Sequence, residues 1–342
     1  MHAIHYCAQK KAPPFMLTFL FFICCLFISG CGNNTGTHTQ NMNSRSDSIN
    51  HADRLPLNKV PAPGIGNGVN LQPSYYNNGI VNFAWPLMRT KDKIKTVRIE
   101  IEPTAAAQAK NWIRQADSAG YTIIATYHNA KELGSDDPAQ LQEAARWWQQ
   151  NYALLTSGLS RDSLGHFDSS RFMINLFNEW GSHKMNAANY AKAYNAAITS
   201  LRTFYKGYII IDIPGWGQET YTAYLACKTT APRIRDAKIV LSAHIYPNGY
   251  NQGRGHILQP SDLEDMANTG YPCILGEFGT GAGSCNWSAV VDYAKKLGWP
   301  VIGWAWNGDG AVMNMVAPSW SHEPLAPHYS TTPYFDTLYN KL

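Results

Sequence analysis

The sequence predicts an α/β fold, a single (β/α)8 TIM barrel over residues 64–342. Three observations predict it. Eight short apolar runs alternate with stretches of helical period, the pattern of repeated βα units on a parallel sheet. The stretch after residue 63 is close to the about 250 residues that one such barrel needs. Chemically capable side chains fall at the ends of six of the eight runs, and a closed parallel barrel gathers those ends on one face.

The runs are taken in order. The first, 69–71, is weak, whereas 96–101 is a clear second strand that carries Arg98 and is ended by Pro103. A helix over 105–119 follows and stops at Gly120. Strand three covers 121–127 and runs into His128, and Asp137-Pro138 then opens a long helix through Trp147 and Trp148. Strand four, 172–177, ends at Asn178-Glu179; a helix over 187–204 leads to strand five, 208–213. Strand six, 238–243, has His244 and Tyr246 just past it. Strand seven, 272–275, is followed at once by Gly276-Glu277, and strand eight, 300–305, by Trp306.

Residues 1–30 read as a removable targeting segment. Lys10 and Lys11 precede an uncharged apolar run over 15–28, which is shorter than the roughly 20 residues of a membrane span. The exit Ile28-Ser29-Gly30-Cys31 resembles the bacterial lipoprotein cleavage box. That resemblance implies an acylated Cys31 and an exported lipoprotein, at the outer membrane, cell surface or periplasm. Membrane association is expected through the lipid alone. Residues 31–63 are polar and then proline-bearing, a solvated tether without enough apolar surface to fold.

Formal charge is +4, and two of the positive charges lie in the leader, so nothing here forms a field for nucleic acid. Eleven Trp and nineteen Tyr are more telling, because aromatic faces suit the C–H faces of sugars as well as a core. Of seven cysteines, Cys227, Cys273 and Cys285 remain after the leader and the lipidated position, and their spacing fits no metal motif. A Cys273–Cys285 bond is disfavoured because the two belong at opposite ends of one strand. No metal-binding histidine spacing and no phosphate loop is present.

Breaking a glycosidic bond requires an acid for the leaving oxygen and a carboxylate for the developing positive charge. The two stand about 5–5.5 Å apart for retention or about 6.5–9.5 Å for inversion. Glu179 and Glu277, each after an apolar strand, converge if strand ends four and seven face each other across the barrel mouth. Spacing alone leaves both outcomes open. Arg98 and the Tyr246 hydroxyl are expected to hold Glu277 ionised. His128 and His244 are expected to position substrate or the acid.

Ile174-Asn175-Leu176-Phe177-Asn178-Glu179 and Leu275-Gly276-Glu277-Phe278-Gly279 resemble the acid/base and nucleophile segments of glycoside hydrolase family 5. Arg98, His128, Asn178, Glu179, His244, Tyr246, Glu277 and Trp306 match that family's eight functional positions in order, across the whole barrel. The resemblance implies a retaining enzyme with Glu179 as acid/base and Glu277 as nucleophile, needing no cofactor and no metal. It also implies that Asn178 binds the sugar 2-hydroxyl. Trp306 is expected to floor the cleaved sugar with Trp304 as core beneath it, and Trp180 and Trp216 are expected to be further sugar platforms. Asp212-Ile213-Pro214-Gly215-Trp216-Gly217-Gln218 resembles a segment of bacterial β-mannanases. Two departures stand against it: Trp180 replaces the usual proline after Asn-Glu, and Asp309 replaces an asparagine. The substrate implied is a β-1,4-linked polysaccharide, mannan or glucomannan, with cellulose or mixed-linkage glucan as the alternative, cleaved by a monomer. An exo-acting or transglycosylating enzyme and a non-catalytic sugar-binding barrel are the rival classes.

Overall fold

In a computed structural model, which describes residues 60–342, eight parallel strands close into a barrel. They are β1 (Gly68–Leu71), β2 (Thr96–Ile101), β3 (Thr122–Tyr127), β4 (Phe172–Asn175), β5 (Ile209–Asp212), β6 (Ile239–Ile245), β7 (Cys273–Phe278) and β8 (Val301–Asn307). Pairing of β1 with both β2 and β8 closes the ring. Each strand is followed by a helix: α1 (Trp85–Arg89), α2 (Ala106–Ser118), α3 (Pro138–Thr156), α4 (Ala187–Leu201), α5 (Thr220–Lys228), α6 (Leu263–Ala267), α7 (Trp287–Lys296) and α8 (Pro333–Tyr339). The expected (β/α)8 TIM barrel is present. Cys31, the leader and all but the end of the tether lie outside the described residues.

Local chemistry explains where the elements start and stop. The Asp137 carboxylate accepts from the Ala139 amide, and Pro138 supplies the fixed φ of a first helical turn in α3. Asn186 caps α4 by accepting from Ala188 and Asn189. Gly120 follows α2 at φ +92°, a conformation that favours a residue without Cβ.

Strand alternation divides the interior into two cores. Outward side chains such as Val97, Ile99, Ile174, Ile211 and Leu241 pack under the helices in one large apolar layer. Inward ones at the N-terminal end form a plug of Ile124, Met173, Ile210, Val240, Ile274 and Ile302, sealed below by Ala62 and Ile65. One step up six of the strands, the inward positions become polar: Asn70, Arg98, Thr126, Asn175, Asp212 and Ser242, all buried. The barrel is therefore apolar at its floor and polar at its C-terminal mouth.

Three strands run further than the sequence suggests. β6, β7 and β8 continue to residues 245, 278 and 307, so His244, Glu277 and Trp306 sit inside strands rather than after them. Main-chain pairing on both sides holds these polar positions in the sheet. β4 is shorter than expected and stops at Asn175, which leaves Glu179 on a turn. Cys227, Cys273 and Cys285 are buried and unbonded.

Candidate active site

Arg98 organises the mouth. It is fully buried on β2, and its guanidinium reaches four neighbouring strands or strand ends. Nη1 donates to Glu277 Oε1 at 2.8 Å, to Glu100 Oε1 at 2.9 Å and to Asn70 Oδ1 at 2.9 Å. Nη2 donates to Asn178 Oδ1 and to Asn175 Oδ1, and lies 3.5 Å from Asp212 Oδ2. A planar, permanently charged fork suits such a role, and a lysine has too few fixed donors to replace it.

Glu277 reaches this fork through a break in strand alternation. Ala243 of β6 pairs with Leu275, but His244 pairs with Glu277, so Gly276 is an extra residue on β7. Leu275 faces outward by ordinary alternation, and the bulge turns Glu277 inward where strict alternation would point it at the helices as well. Glycine fits this position beside Ser242, because a Cβ at 276 would lie 2.2 Å from the Ser242 Oγ as it stands. Glu277 Oε2 accepts from the Tyr246 hydroxyl at 2.7 Å, completing a carboxylate held at both oxygens. Burial pushes the Glu277 carboxyl up to about 7; His244 and Arg98 pull it down, while Glu179 and Glu100 raise it further. Arg98 pulls the carboxyl down as expected, and burial inside the barrel pushes it up more strongly.

Glu179 follows β4 in a left-handed conformation, φ +53°, on a turn pinned at both ends. Its amide donates to Asp212 Oδ2 at 3.0 Å, and its carbonyl accepts from Gly134 at 2.8 Å. Its carboxylate meets His244 Nδ1 at 2.9 Å. The same nitrogen is 3.4 Å from Glu277 Oε1, and Nε2 is 3.6 Å from Asp212 Oδ1. Burial opposes a charged ring, but Glu277, Asp212 and Glu179 raise the His244 pKa well above the usual histidine range. One ligand atom from each of Glu179, His244 and Glu277 lies within 4.8 Å of the others. The two glutamates thus do converge at the mouth.

His128 is placed differently. Nε2 lies 3.4 Å from Glu100 and Nδ1 lies 3.0 Å from Glu102, with the Tyr75 hydroxyl 2.9 Å from Nδ1. Both nitrogens are turned to carboxylates on and just after β2, Glu100 and Glu102. Tyr75 also hydrogen-bonds Glu102 and is itself exposed at the rim.

The tryptophans require two corrections. Trp180 is no platform: it is buried, donates from Nε1 to the Asp137 carbonyl at 3.1 Å and packs edge-on against Tyr194 of α4. Trp306 does not floor the site either. It is wholly buried on the outer side, with Nε1 on the Phe83 carbonyl at 3.0 Å and its ring edge-on to Phe335 of α8. Trp304 takes the inward position instead. Gly303 faces out, where a Cβ would meet Leu338 of α8, and Trp304 lies outside the apolar core with Nε1 on Asp309 Oδ1 at 3.1 Å. The reason is register: Val69 pairs with Gly303 but Leu71 with Asn307, so the irregular β8 end separates two residues that simple alternation puts on one side. Trp216 is 37% exposed beyond β5, backed by Gly134, where a Cβ would lie 2.1 Å from the indole.

Asn70, Glu100, Asn175 and Asp212 belong to the cluster and were not picked out from the sequence. The available signal was a lone polar residue inside an otherwise apolar strand, as at Asn175 and Asp212, or one two residues from another charge, as at Glu100. Burial alone would push Asp212 up, yet His244, Arg98 and the Glu179 amide bring it down to about 2.

Comparisons with known proteins agree with this geometry. A β-mannanase from Thermomonospora fusca has a TM-score of 0.59 at 20% identity, over 81% of this chain and 89% of that one. The catalytic domain of a mannanase from Streptomyces sp. SirexAA-E gives 0.58 at 17% identity, over 91% and 96%. A broad-specificity endoglucanase from Bacteroides salanitronis gives 0.51 at 15% identity, over 79% and 92%. At such identities these likenesses speak for the barrel. A mannan endo-1,4-beta-mannosidase from Streptomyces lividans is 24% identical over 216 residues, which are 60% of this chain and 51% of that protein. The chain thus spans about half the length of this curated relative. The family model described as cellulase, glycosyl hydrolase family 5, matches residues 76–310, a stretch that holds Arg98, Glu179, His244, Glu277 and Trp304. The chain belongs to glycosyl hydrolase family 5.

Proposed function

We propose that this protein is a retaining, endo-acting glycoside hydrolase of β-1,4-linked polysaccharide, with mannan or glucomannan as the substrate. The observation that carries the reading is the paired Glu179 and Glu277, which each bring a carboxylate oxygen within 4.8 Å of the other and of a His244 ring nitrogen. That closeness favours the separation of about 5–5.5 Å used for retention over the about 6.5–9.5 Å of inversion.

In the first step a Glu277 oxygen attacks the anomeric carbon while Glu179 delivers a proton to the departing oxygen. Arg98 and Tyr246 hold the nucleophile in place. The proton for departure resides on the Glu179–His244 pair, whose facing atoms are 2.9 Å apart. In the second step Glu179 takes a proton from water, the water oxygen bonds to the anomeric carbon, and Glu277 leaves as a carboxylate. Trp304 supplies the apolar floor for the cleaved sugar, and Trp216 a platform further along the cleft. Asn178 is offered to the 2-hydroxyl, oriented by Arg98. Both carboxylates come from one chain, which supports action as a monomer.

The mannan preference is supported by the similarity to the Streptomyces lividans mannosidase and by the Trp-Gly-Gln segment after β5. The family description and the endoglucanase likeness favour cellulose as the second reading. Reducing-sugar release from galactomannan, glucomannan and carboxymethyl cellulose separates them. Glu277→Ala is expected to lose about three orders of magnitude or more in kcat; equal activity in variant and wild type removes the assignment. We also infer export and lipid anchoring at Cys31, for which labelled palmitate incorporated by wild type and lost in Cys31→Ala is the check.

A further inference from the structure

We propose that Glu100 is a positioning residue that draws on the same Arg98 nitrogen as Glu277 and thereby keeps the nucleophile basic. This rests on the reading of Glu277 as nucleophile given above. Arg98 Nη1 is shared by Glu277 Oε1 at 2.8 Å and Glu100 Oε1 at 2.9 Å, with Asn70 as a third, neutral acceptor. Nη1 carries two N–H groups for these three acceptors, so at least one N–H is divided between two of them, and the negative Glu100 draws on the same nitrogen as Glu277. Glu100 is fixed for this task. It is 1% exposed, its other oxygen accepts from Gln72 Nε2 at 2.6 Å, and His128 Nε2 stands 3.4 Å away. A tightly held nucleophilic carboxylate is a poor attacking group, whereas a partly released one attacks readily.

The charges facing Glu277 come from four elements. β2 presents Arg98 and Glu100, the turn after β4 presents Glu179, and β6 presents His244 with Tyr246 just past its end. Asp212 of β5 acts on it through Arg98 and His244. Of the negative groups, only Glu100 shares the Arg98 nitrogen that binds the nucleophile. Its removal therefore takes a rival acceptor and a negative charge away from that nitrogen and lowers the pH at which Glu277 ionises.

The test is the pH profile of kcat/KM on glucomannan, which contains both candidate sugars. Glu100→Gln keeps the shape and removes the charge, and is expected to move the ascending limb down by about half a unit or more. The descending limb, which reports the proton donor, stays in place. Glu100→Asp withdraws the charge by one methylene and moves the same limb in the same direction by less. An ascending limb that stays at the wild-type position, with activity reduced by the same factor at every pH, overturns the proposal and leaves Glu100 as structural support. If Glu100→Gln fails to fold, Glu100→Asp decides by the same criterion. A wild-type enzyme that releases no sugar from glucomannan would instead overturn the proposed function itself.

Discussion

Glu179, Glu277 and Arg98 depend on residues that do not touch the scissile bond. Asp212 anchors the Glu179 amide and faces His244, and Asn175 holds Arg98 from below. The two β8 tryptophans show how neighbouring residues of one type diverge. Trp306→Ala empties a wholly buried outer site and is expected to cost about 3–5 kcal/mol of stability, read by denaturant unfolding. Trp304→Ala is expected to leave stability closer to wild type and lower kcat/KM by about tenfold or more. The opposite pattern in the two variants would reverse their assignments.

At the level of elements, the bulge on β7 is the device that makes the site. Regular pairing would aim Glu277 at α7 and α8; one extra glycine aims it at Arg98. Gly276→Ala places a Cβ where Ser242 Oγ stands, at 2.2 Å, so either the serine or the strand must shift. The expected result is a loss of about 1–3 kcal/mol in stability and about a hundredfold in kcat, from a displaced nucleophile. Adding Ser242→Gly makes room and is expected to recover much of both. No recovery would mean that the alanine disturbs the bulge backbone itself. The turn after β5 uses the same economy of space, since Gly134 clears the room in which Trp216 lies.

For the molecule as a whole, a dry barrel end carrying five acidic side chains, one arginine and a charged histidine links folding to pH. Asp212 titrates at about 2 in the folded chain against 3.8 as its ordinary value. A depressed carboxylate contributes stability above its unfolded pKa and loses it as pH falls through the folded one. That contribution is about 2 kcal/mol, complete above about pH 4 and lost toward pH 2. Unfolding free energies of wild type and Asp212→Asn are expected to converge as pH falls through this window; a constant gap would show that the group acts through shape alone. Glu277 has the opposite sign. Raised to about 7, it makes ionisation costly in the folded state, so stability declines as pH climbs from its ordinary value of 4.5 toward 7.

The sequence by itself determined the barrel, the order of its strands and the identity of the paired glutamates. Apolar runs of strand length and polar residues at their ends are local signals, readable without knowing what touches what. Tertiary structure decided the direction of each side chain. Two register shifts, at Gly276 and near the end of β8, invert inside and outside, and they arise from how strands meet across the ring. Trp180 looked like a loop residue until α4 covered it. Glu100 and Asp212 became part of the site only when closure brought β2 and β5 to a common guanidinium. Composition and period report burial; which face is buried is settled by partners distant in the chain.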